Sequence, residues 1–361
     1  MPATMRLITF ESRNFRCLAG LAFQPGPGVN VICGNNAQGK TSLLEAILYT
    51  ATSKSHRTSA DAELVAHGAD RFHLTAHVQR DDRQLIIDAA WWQGVKRFKI
   101  NGVPQTRISD ILGKMTAVLF SPEDINLIKG AASGRRRFLD MELSQVSPPY
   151  LHALQRYRQA LRQRNELLRT EAPAPELIAP WDQQLSSHAQ TIVRERNLFI
   201  DQLARHAAQA YAQITGGELL ALRYVPDVPP GAPLADVLLK HRQADIRRQN
   251  TSHGPHRDDL EIDIASRPAR NFASQGQQKT AALALKLAEL NLIRERTAEF
   301  PILMLDEVLS ELDAVRSRLL FNAVPPEVQC ILTTATVTRP ELLFGPHATL
   351  YGIEGGKLEK R

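Results

Sequence analysis

No apolar stretch of the chain is long enough to span a bilayer, which excludes a helical membrane anchor. The opening segment "MPATMRLITFESRNF" lacks a signal-peptide core, so a cytoplasmic protein is expected. Cysteine is scarce. The three residues Cys17, Cys33 and Cys330 are scattered and odd in number, which excludes a disulfide framework and any metal-ligand spacing of thiols. Two of them sit in apolar, strand-like runs and read as reduced core thiols. Internal repeats and low-complexity tracts are absent, which excludes solenoids and disordered arrays. What remains is a globular chain of 361 residues, 43% hydrophobic, long enough for two domains or for one with a large insertion.

Charge is unevenly placed. The net charge is +6. Between Lys129 and Thr170 there are nine basic residues (Lys129, Arg135, Arg136, Arg137, Arg156, Arg158, Arg162, Arg164 and Arg169) against three acids, Asp140, Glu142 and Glu166. That excess equals the whole chain's, so the rest is nearly balanced. A polyanionic partner fits such a segment.

The first strong motif lies in "VNVICGNNAQGKTSLLEAI". Gly34, Gly39, Lys40 and Thr41 meet the G-x-x-x-x-G-K-[ST] pattern after an apolar strand and before a helix. A chance glycine turn is the competing reading, and the strand-to-helix context argues against it. Glycines let backbone N–H groups turn inward around a phosphate, and the helix start adds positive potential. The loop Gly34, Asn35, Asn36, Ala37, Gln38, Gly39, with Lys40, Thr41 and Ser42, is expected to hold a nucleoside triphosphate. Lys40 would reach the β- and γ-phosphates and Thr41 would ligate Mg²⁺.

The second motif is "PILMLDEVLSELD". A continuous apolar run reads as a parallel strand covered on both faces. Asp306 and Glu307 stand at its C-terminal end, where ligands bind in open α/β sheets. Asp306 would hold the Mg²⁺ ion's hydration shell and Glu307 would polarise an attacking water.

The third is "NFASQGQQKTAALALKLAEL". Ser274 and Gln277 have the spacing of a capping box, and Gly276 leaves backbone donors uncovered. The plain reading is a well-capped helix. The sharper one is a second anion site at Ser274, Gln275, Gly276 and Gln277, serving a nucleotide on another subunit.

Around these motifs the pattern predicts short strands over 5–33 with a turn at "QPGPG". It predicts strands over 70–103 with a turn at Asn101–Gly102, and a strand entering a Pro-bearing helix start at "TAVLFSPED". Two helices around a proline-rich break at "APAPELIAP" form a hairpin. One carries Leu154, Tyr157, Leu161 and Leu168, the other Leu185, Ile192, Phe199, Leu203 and Ile214. Arg158, Arg162 and Arg169 fall on the solvent side, whereas Arg164 lies near the apolar stripe and reads as a structural ion pair. A helix near Leu234–Arg248 and a strand at "DDLEIDI" follow. The fold class is α/β: a domain of sheet and helices formed by residues 1–125 and 250–361, with an inserted, mainly helical lobe over 126–249.

The order "SQGQQ", "LMLDE", "LSELD" looks like the signature, Walker B and D-loop of the ATP-binding cassette. Ser310 and Asp313 stand at D-loop positions. More narrowly, "NFRCL", "SKSHRTS", "LFSPEDINLIKGAASGRRRFLD", "YLHALQRYRQALRQRN", "SHGPHRDDLEI" and "GQQKTAALALKLAE", with the motifs above, resemble the RecF family of bacterial recombination mediators along nearly the whole chain. The resemblance implies an ATPase head without a long coiled coil, ATP-dependent homodimerisation, and binding to duplex and gapped or junction DNA near the nucleoid. It implies partnership with RecR and RecO in loading RecA, a role in replication-fork maintenance and SOS induction, and a weak, DNA-dependent ATPase. Two places depart from the cassette pattern. "FSPED" stands where a glutamine loop is usual, and "CILTTAT" ends in threonines where a switch histidine is usual. Both fit a slow timer rather than a transport motor.

The remaining polar clusters are read with less chemistry. Arg135, Arg136 and Arg137 are expected to contact DNA phosphates, and Lys54, His56 and Arg57 of "SKSHRTS" to contact DNA or nucleotide. His253, His256, Asp258 and Asp259 are metal-type residues, but their spacing favours a structural or interface loop. A transporter's nucleotide-binding subunit and a scaffold with inert ATP are the competing functions. The basic lobe speaks against the first, and Glu307 after Asp306 speaks against the second.

Overall fold

The computed structural model of the chain describes residues 3–80, 83–171, 174–311, 314–335 and 348–361. In chain order the elements begin with β1 (Ala3–Phe15), β2 (Leu18–Phe23), β3 (Val29–Cys33) and α1 (Lys40–Thr52). There follow β4 (Arg71–Arg80), β5 (Arg83–Trp92), β6 (Val95–Ile100), β7 (Val103–Gln105) and β8 (Ala117–Phe120). The helical stretch comprises α2 (Ile125–Lys129), α3 (Ala132–Val146), α4 (Pro148–Leu168) and α5 (Pro175–Thr215), then β9 (Leu220–Val225) and α6 (Leu234–Arg248). The chain returns through β10 (Asp259–Ile264), β11 (Arg267–Pro268), α7 (Ala269–Phe272), α8 (Gln275–Thr297) and β12 (Glu299–Phe300). It closes with β13 (Ile302–Asp306), α9 (Val308–Glu311), α10 (Ala314–Ala323), β14 (Cys330–Thr334), β15 (Thr349–Glu354) and β16 (Lys357–Lys360).

Three sheets organise these elements. The central one runs β16-β15-β3-β14-β13-β8, parallel except for the terminal β15–β16 hairpin. The four strands β3, β14, β13 and β8 are buried on both faces, and alternate residues serve different cores. Ile302 and Met304 of β13 pack with Leu43, Leu44 and Ile47 of α1 and with Phe10 and Leu74 of the second, largely antiparallel sheet. Leu303 and Leu305 pack on the opposite side with Leu283 and Leu287 of α8 and with Phe199 and Leu203 of α5. Continuous apolar strands are what this two-sided burial demands. The layers are therefore antiparallel sheet, α1, parallel sheet, then α8 and the helical lobe.

The hairpin of α4 and α5 forms as the apolar stripes require. Leu154, Tyr157, Leu168, Leu185, Ile192, Phe199 and Leu203 are all buried. Arg164, with no exposed surface, reaches Asp182 of α5 at 2.6 Å and Asp245 of α6 at 2.8 Å, and so pins three helices together. One expectation needs correction. Pro175 starts α5, but Pro180 lies inside it, so the break is confined to the segment before Pro175. Pro180 sits in the second turn, where only one helical hydrogen bond is lost. The mainly helical inserted lobe also carries one strand, β9. β9 pairs antiparallel with β10 from Leu220 to Val225, so a small sheet joins segments on both sides of residue 249. Among the described residues no helix is long and apolar enough to cross a membrane.

Candidate nucleotide site and signature helix

The glycine loop leaves β3 and enters α1 as its sequence requires. Gly34 sits against β15, where a Cβ would stand 2.4 Å from the Ile353 carbonyl oxygen, so no other residue fits. Gly39 has φ of 109° and serves as the N-cap of α1 without any side-chain cap. No acidic residue occupies the first turn. The leading N–H groups of α1 are thus left to an external anion. Asn35, Asn36 and Ala37 are exposed at the tip, and Ser42 is buried in the first turn. The far side of the loop is held by the C-terminal hairpin. Gly355 N–H donates to Gln38 Oε1 at 2.7 Å, and Gly356 N–H donates to the Gln38 carbonyl at 3.1 Å.

Lys40 is buried, with 4% of its side chain exposed. Its ammonium donates to the carbonyls of Gly34 (2.6 Å) and Asn35 (2.9 Å) and lies 3.0 Å from Glu307 Oε1. The three contacts match its three donors. Thr41 Oγ1 donates to Asp306 Oδ1 at 3.1 Å, across 265 positions of sequence. The parallel pairing of β13 with β14 and of β14 with β3 puts the end of β13 beside the loop after β3.

Asp306 is 5% exposed, and burial pushes its carboxyl above the usual range. The hydroxyls of Thr333 and Thr41 oppose that shift, and the charge of Glu307 adds to it. Thr333 Oγ1 donates to Asp306 Oδ1 at 2.7 Å and accepts from Glu307 N–H at 3.1 Å. The first threonine at the end of β14 thus orients both acidic residues. The sequence marked that place only by the missing histidine. Glu307 has φ of 55°, a left-handed conformation that turns its side chain back toward Lys40. The hydroxyl of Thr41 beside the buried carboxylate of Asp306 is a hard oxygen pair that would suit Mg²⁺. Among the described residues no cluster of three or more His, Cys, Asp or Glu could hold a metal.

The signature segment starts α8. Ser274 Oγ accepts from Gln277 N–H at 3.2 Å, and Gln277 Oε1 accepts from Ser274 N–H at 2.9 Å, a complete capping box. Ser274 and Gln275 are exposed, and Gly276 is partly covered. Of the D-loop residues, Ser310 lies in α9, where its side chain is not described, and Asp313 lies outside the described residues.

The basic residues separate into two groups. Arg135, expected on a DNA face, is 4% exposed and makes a two-pronged pair with Asp259 at 2.7 and 2.8 Å. It anchors α3 to β10 and has no face for a phosphate. Arg136 is half-buried and donates to the Asp258 carbonyl at 2.7 Å. Arg137 is exposed and reaches back to the Ser55 carbonyl at 2.6 Å, which places it beside the loop of Lys54 and Arg57. Arg57 and Lys54 are exposed, and Arg57 lies 3.8 Å from the buried Glu45 of α1. Lys54 is within electrostatic reach of Arg158, Lys96 and Arg137. A cavity of about 240 Å³ between α3, α4 and α5 is lined by Ser133, Arg136, Arg137, Arg158 and His256, among others.

The residues of the histidine–aspartate loop find partners within the fold. His256 bonds Tyr157 Oη at 2.7 Å, His253 meets Asp227 at 3.1 Å, and Asp258 meets Arg196 at 3.0 Å.

Fold and site together define an ATPase head of the P-loop, cassette-related class. The chain matches the model of the RecF/RecN/SMC N-terminal domain over residues 6–342. It shares the fold of an Smc head domain from Pyrococcus yayanosii, with a TM-score of 0.59 at 14% identity over 99% of this chain and 97% of that one. Within that class the chain belongs to the RecF family. It is 42% identical to the DNA replication and repair protein RecF of Lactobacillus delbrueckii over 98% of this chain and 97% of that protein. The corresponding protein of Halalkalibacterium halodurans is 39% identical, with 99% of each chain covered. A solved structure of the recombination mediator protein RecF with ATP, in the RecFOR pathway, superposes with a TM-score of 0.92 at 32% identity, covering 100% of this chain and 99% of that one.

Proposed function

We propose that the protein is an ATP-switched DNA-binding protein of recombinational repair and that it hydrolyses ATP slowly. The observation carrying this is the convergence of Thr41 with Asp306 and of Lys40 with Glu307, while the exposed Ser274 stands on a separate helix start. In this reading the loop 34–42 and the start of α1 wrap the phosphates, and Thr41 and Asp306 hold Mg²⁺. Bound magnesium would neutralise phosphate charge, and Glu307 would orient the attacking water. Thr333 would hold that carboxylate geometry without supplying the proton-transfer group of a histidine, which suits a slow clock.

Ser274, Gln275, Gly276 and Gln277 would meet the γ-phosphate bound to a second copy of the chain. Two copies about a two-fold axis would share two nucleotides, and hydrolysis would remove contacts favouring the closed dimer. The relatives' names support a role in DNA replication and repair. The solved relative's name adds a RecFOR pathway; in this reading the protein works alongside RecO and RecR at gapped DNA, and RecA loading is the outcome. Arg136, Arg137, Lys54, Arg57 and Arg158 form the phosphate-facing surface in this reading, with Arg135 as its internal brace. We further propose residues 1–125 and 250–361 as the ATPase head, with the β9–β10 ladder as its seam to the helical lobe.

Sedimentation of Ser274→Arg with saturating ATP tests this reading. The variant should bind ATP as a monomer, with affinity measured by titration, yet fail to dimerise. Normal ATP-dependent dimerisation would reduce Ser274 to a helix cap and sink the clamp.

A further inference from the structure

We propose that Glu218 is a positioning residue that sets the hydrogen-bond polarity of the signature segment and ties it to the end of α5. The inference rests on the reading of Ser274 as a contact to a partner's nucleotide. It begins with the Gln277 side chain. The amide Nε2 donates to Glu218 Oε1 at 2.7 Å, while Oε1 accepts from Ser274 N–H at 2.9 Å. An amide has one donor end and one acceptor end, and a carboxylate only accepts. Glu218 therefore selects the amide orientation. The flipped amide would set NH₂ against N–H and oxygen against carboxylate. With the amide so held, Ser274 Oγ accepts from Gln277 N–H, and its own proton is left to donate outward. A phosphate oxygen is the acceptor such an exposed hydroxyl suits.

The second oxygen of Glu218 faces the helical lobe. Tyr211 Oη, on a fully buried residue in the last turns of α5, donates to Glu218 Oε2 at 2.7 Å. Gly216 and Gly217, with φ of 77° and 116°, end the helix in a left-handed turn that brings Glu218 back over it. Glu218 N–H donates to Thr215 Oγ1 at 3.2 Å, and Thr215 Oγ1 donates to the Tyr211 carbonyl at 2.8 Å. One carboxylate thus bridges the 41-residue helix of the basic lobe and the amide that orients Ser274. A shift of α5 when the lobe meets DNA would move Tyr211, Glu218 and Gln277 together. That gives DNA a mechanical path to the dimer contact.

The test uses the full chain as Glu218→Ala, Glu218→Gln and Tyr211→Phe, with Ser274→Arg alongside. Three quantities are read: monomer ATP affinity by titration, the ATP-dependent dimer constant by sedimentation, and ATP turnover with and without duplex DNA. Glu218→Ala should weaken dimerisation about tenfold, the scale of one lost charge-assisted hydrogen bond, while monomer ATP affinity stays within about twofold. Glu218→Gln should fall between Ala and the parent, since one oxygen still accepts. Tyr211→Phe should dimerise like the parent but lose most of the DNA stimulation. If Glu218→Ala dimerises and responds to DNA like the parent while Ser274→Arg does not, the bridge is only structural and the inference fails. If Ser274→Arg also dimerises normally, the signature reading falls first. If Glu218→Ala does not fold, Tyr211→Phe decides, and a parental DNA response there overturns the coupling.

Discussion

The ammonium of Lys40 and the carboxylate of Glu307 form an ion pair at 3.0 Å, joining the phosphate loop to the end of β13. The pair occupies the donor that a phosphate would use. In the proposed function an entering nucleotide would displace Glu307 from Lys40 and free the carboxylate to face water. Glu307→Gln should then have two effects. ATP should bind about 3- to 10-fold more tightly, because a neutral amide competes less for Lys40. Turnover should fall by about 10²-fold or more, because the amide is no base. Equilibrium titration and a single-turnover assay measure the two separately. Unchanged affinity would mean that the pair is not broken on binding.

Lys40→Met removes the cation and leaves the carbonyls of Gly34 and Asn35 without their donor. ATP affinity should drop by at least about tenfold. Lys40→Arg keeps the charge but not the compact geometry, so binding should survive better than catalysis. Titration beside a turnover assay reads both variants, and a Lys40→Met protein with parental affinity would refute the phosphate-loop assignment.

Arg135 and Arg137 are neighbours in sequence with opposite expected phenotypes. Arg135→Ala leaves Asp259 without its partner and should cost about 2–3 kcal/mol of stability by denaturant titration. In folded protein the salt dependence of DNA binding should stay parental. Arg137→Ala should do the reverse, with stability kept and the salt slope lower by about one unit. A flattened slope in Arg135→Ala would restore the DNA role the sequence suggested.

Burial depresses the imidazoles of His56 and His256 to about 4 each, well below the ordinary histidine value. The unfolded chain takes up these protons below about pH 6.5, whereas the folded chain does so only near pH 4. Between those limits the unfolded state binds more protons, so stability should fall as pH falls through the window. Each imidazole should contribute on the order of 1–3 kcal/mol to the loss. His256→Gln, which can still bond Tyr157, should flatten the acid limb measured by urea unfolding at several pH values. An acid limb of parental steepness would refute the assignment for His256.

Much of the site was legible because its chemistry is local in sequence. A glycine-rich loop between a strand and a helix, an apolar strand ending in two acids, and a serine three positions before a glutamine each encode their own geometry. The periodicity of α4 and α5 likewise marked the hairpin and placed Arg164 inside it. What the sequence could not decide was which charges meet across the fold. Arg135, Arg136 and Arg137 read alike as a basic run, yet helical rotation by 100° per residue turns Arg135 toward Asp259 and Arg137 toward Ser55. The grip of Gly355 and Gly356 on Gln38, the hold of Thr333 on Asp306 and the bridge from Tyr211 through Glu218 to Gln277 had no local signature. Each joins segments that only sheet order and helix packing bring within hydrogen-bond distance. Sequence patterns specify what an element is and which face it buries. The partner of a polar side chain depends on where other elements end, and only the tertiary structure decides that.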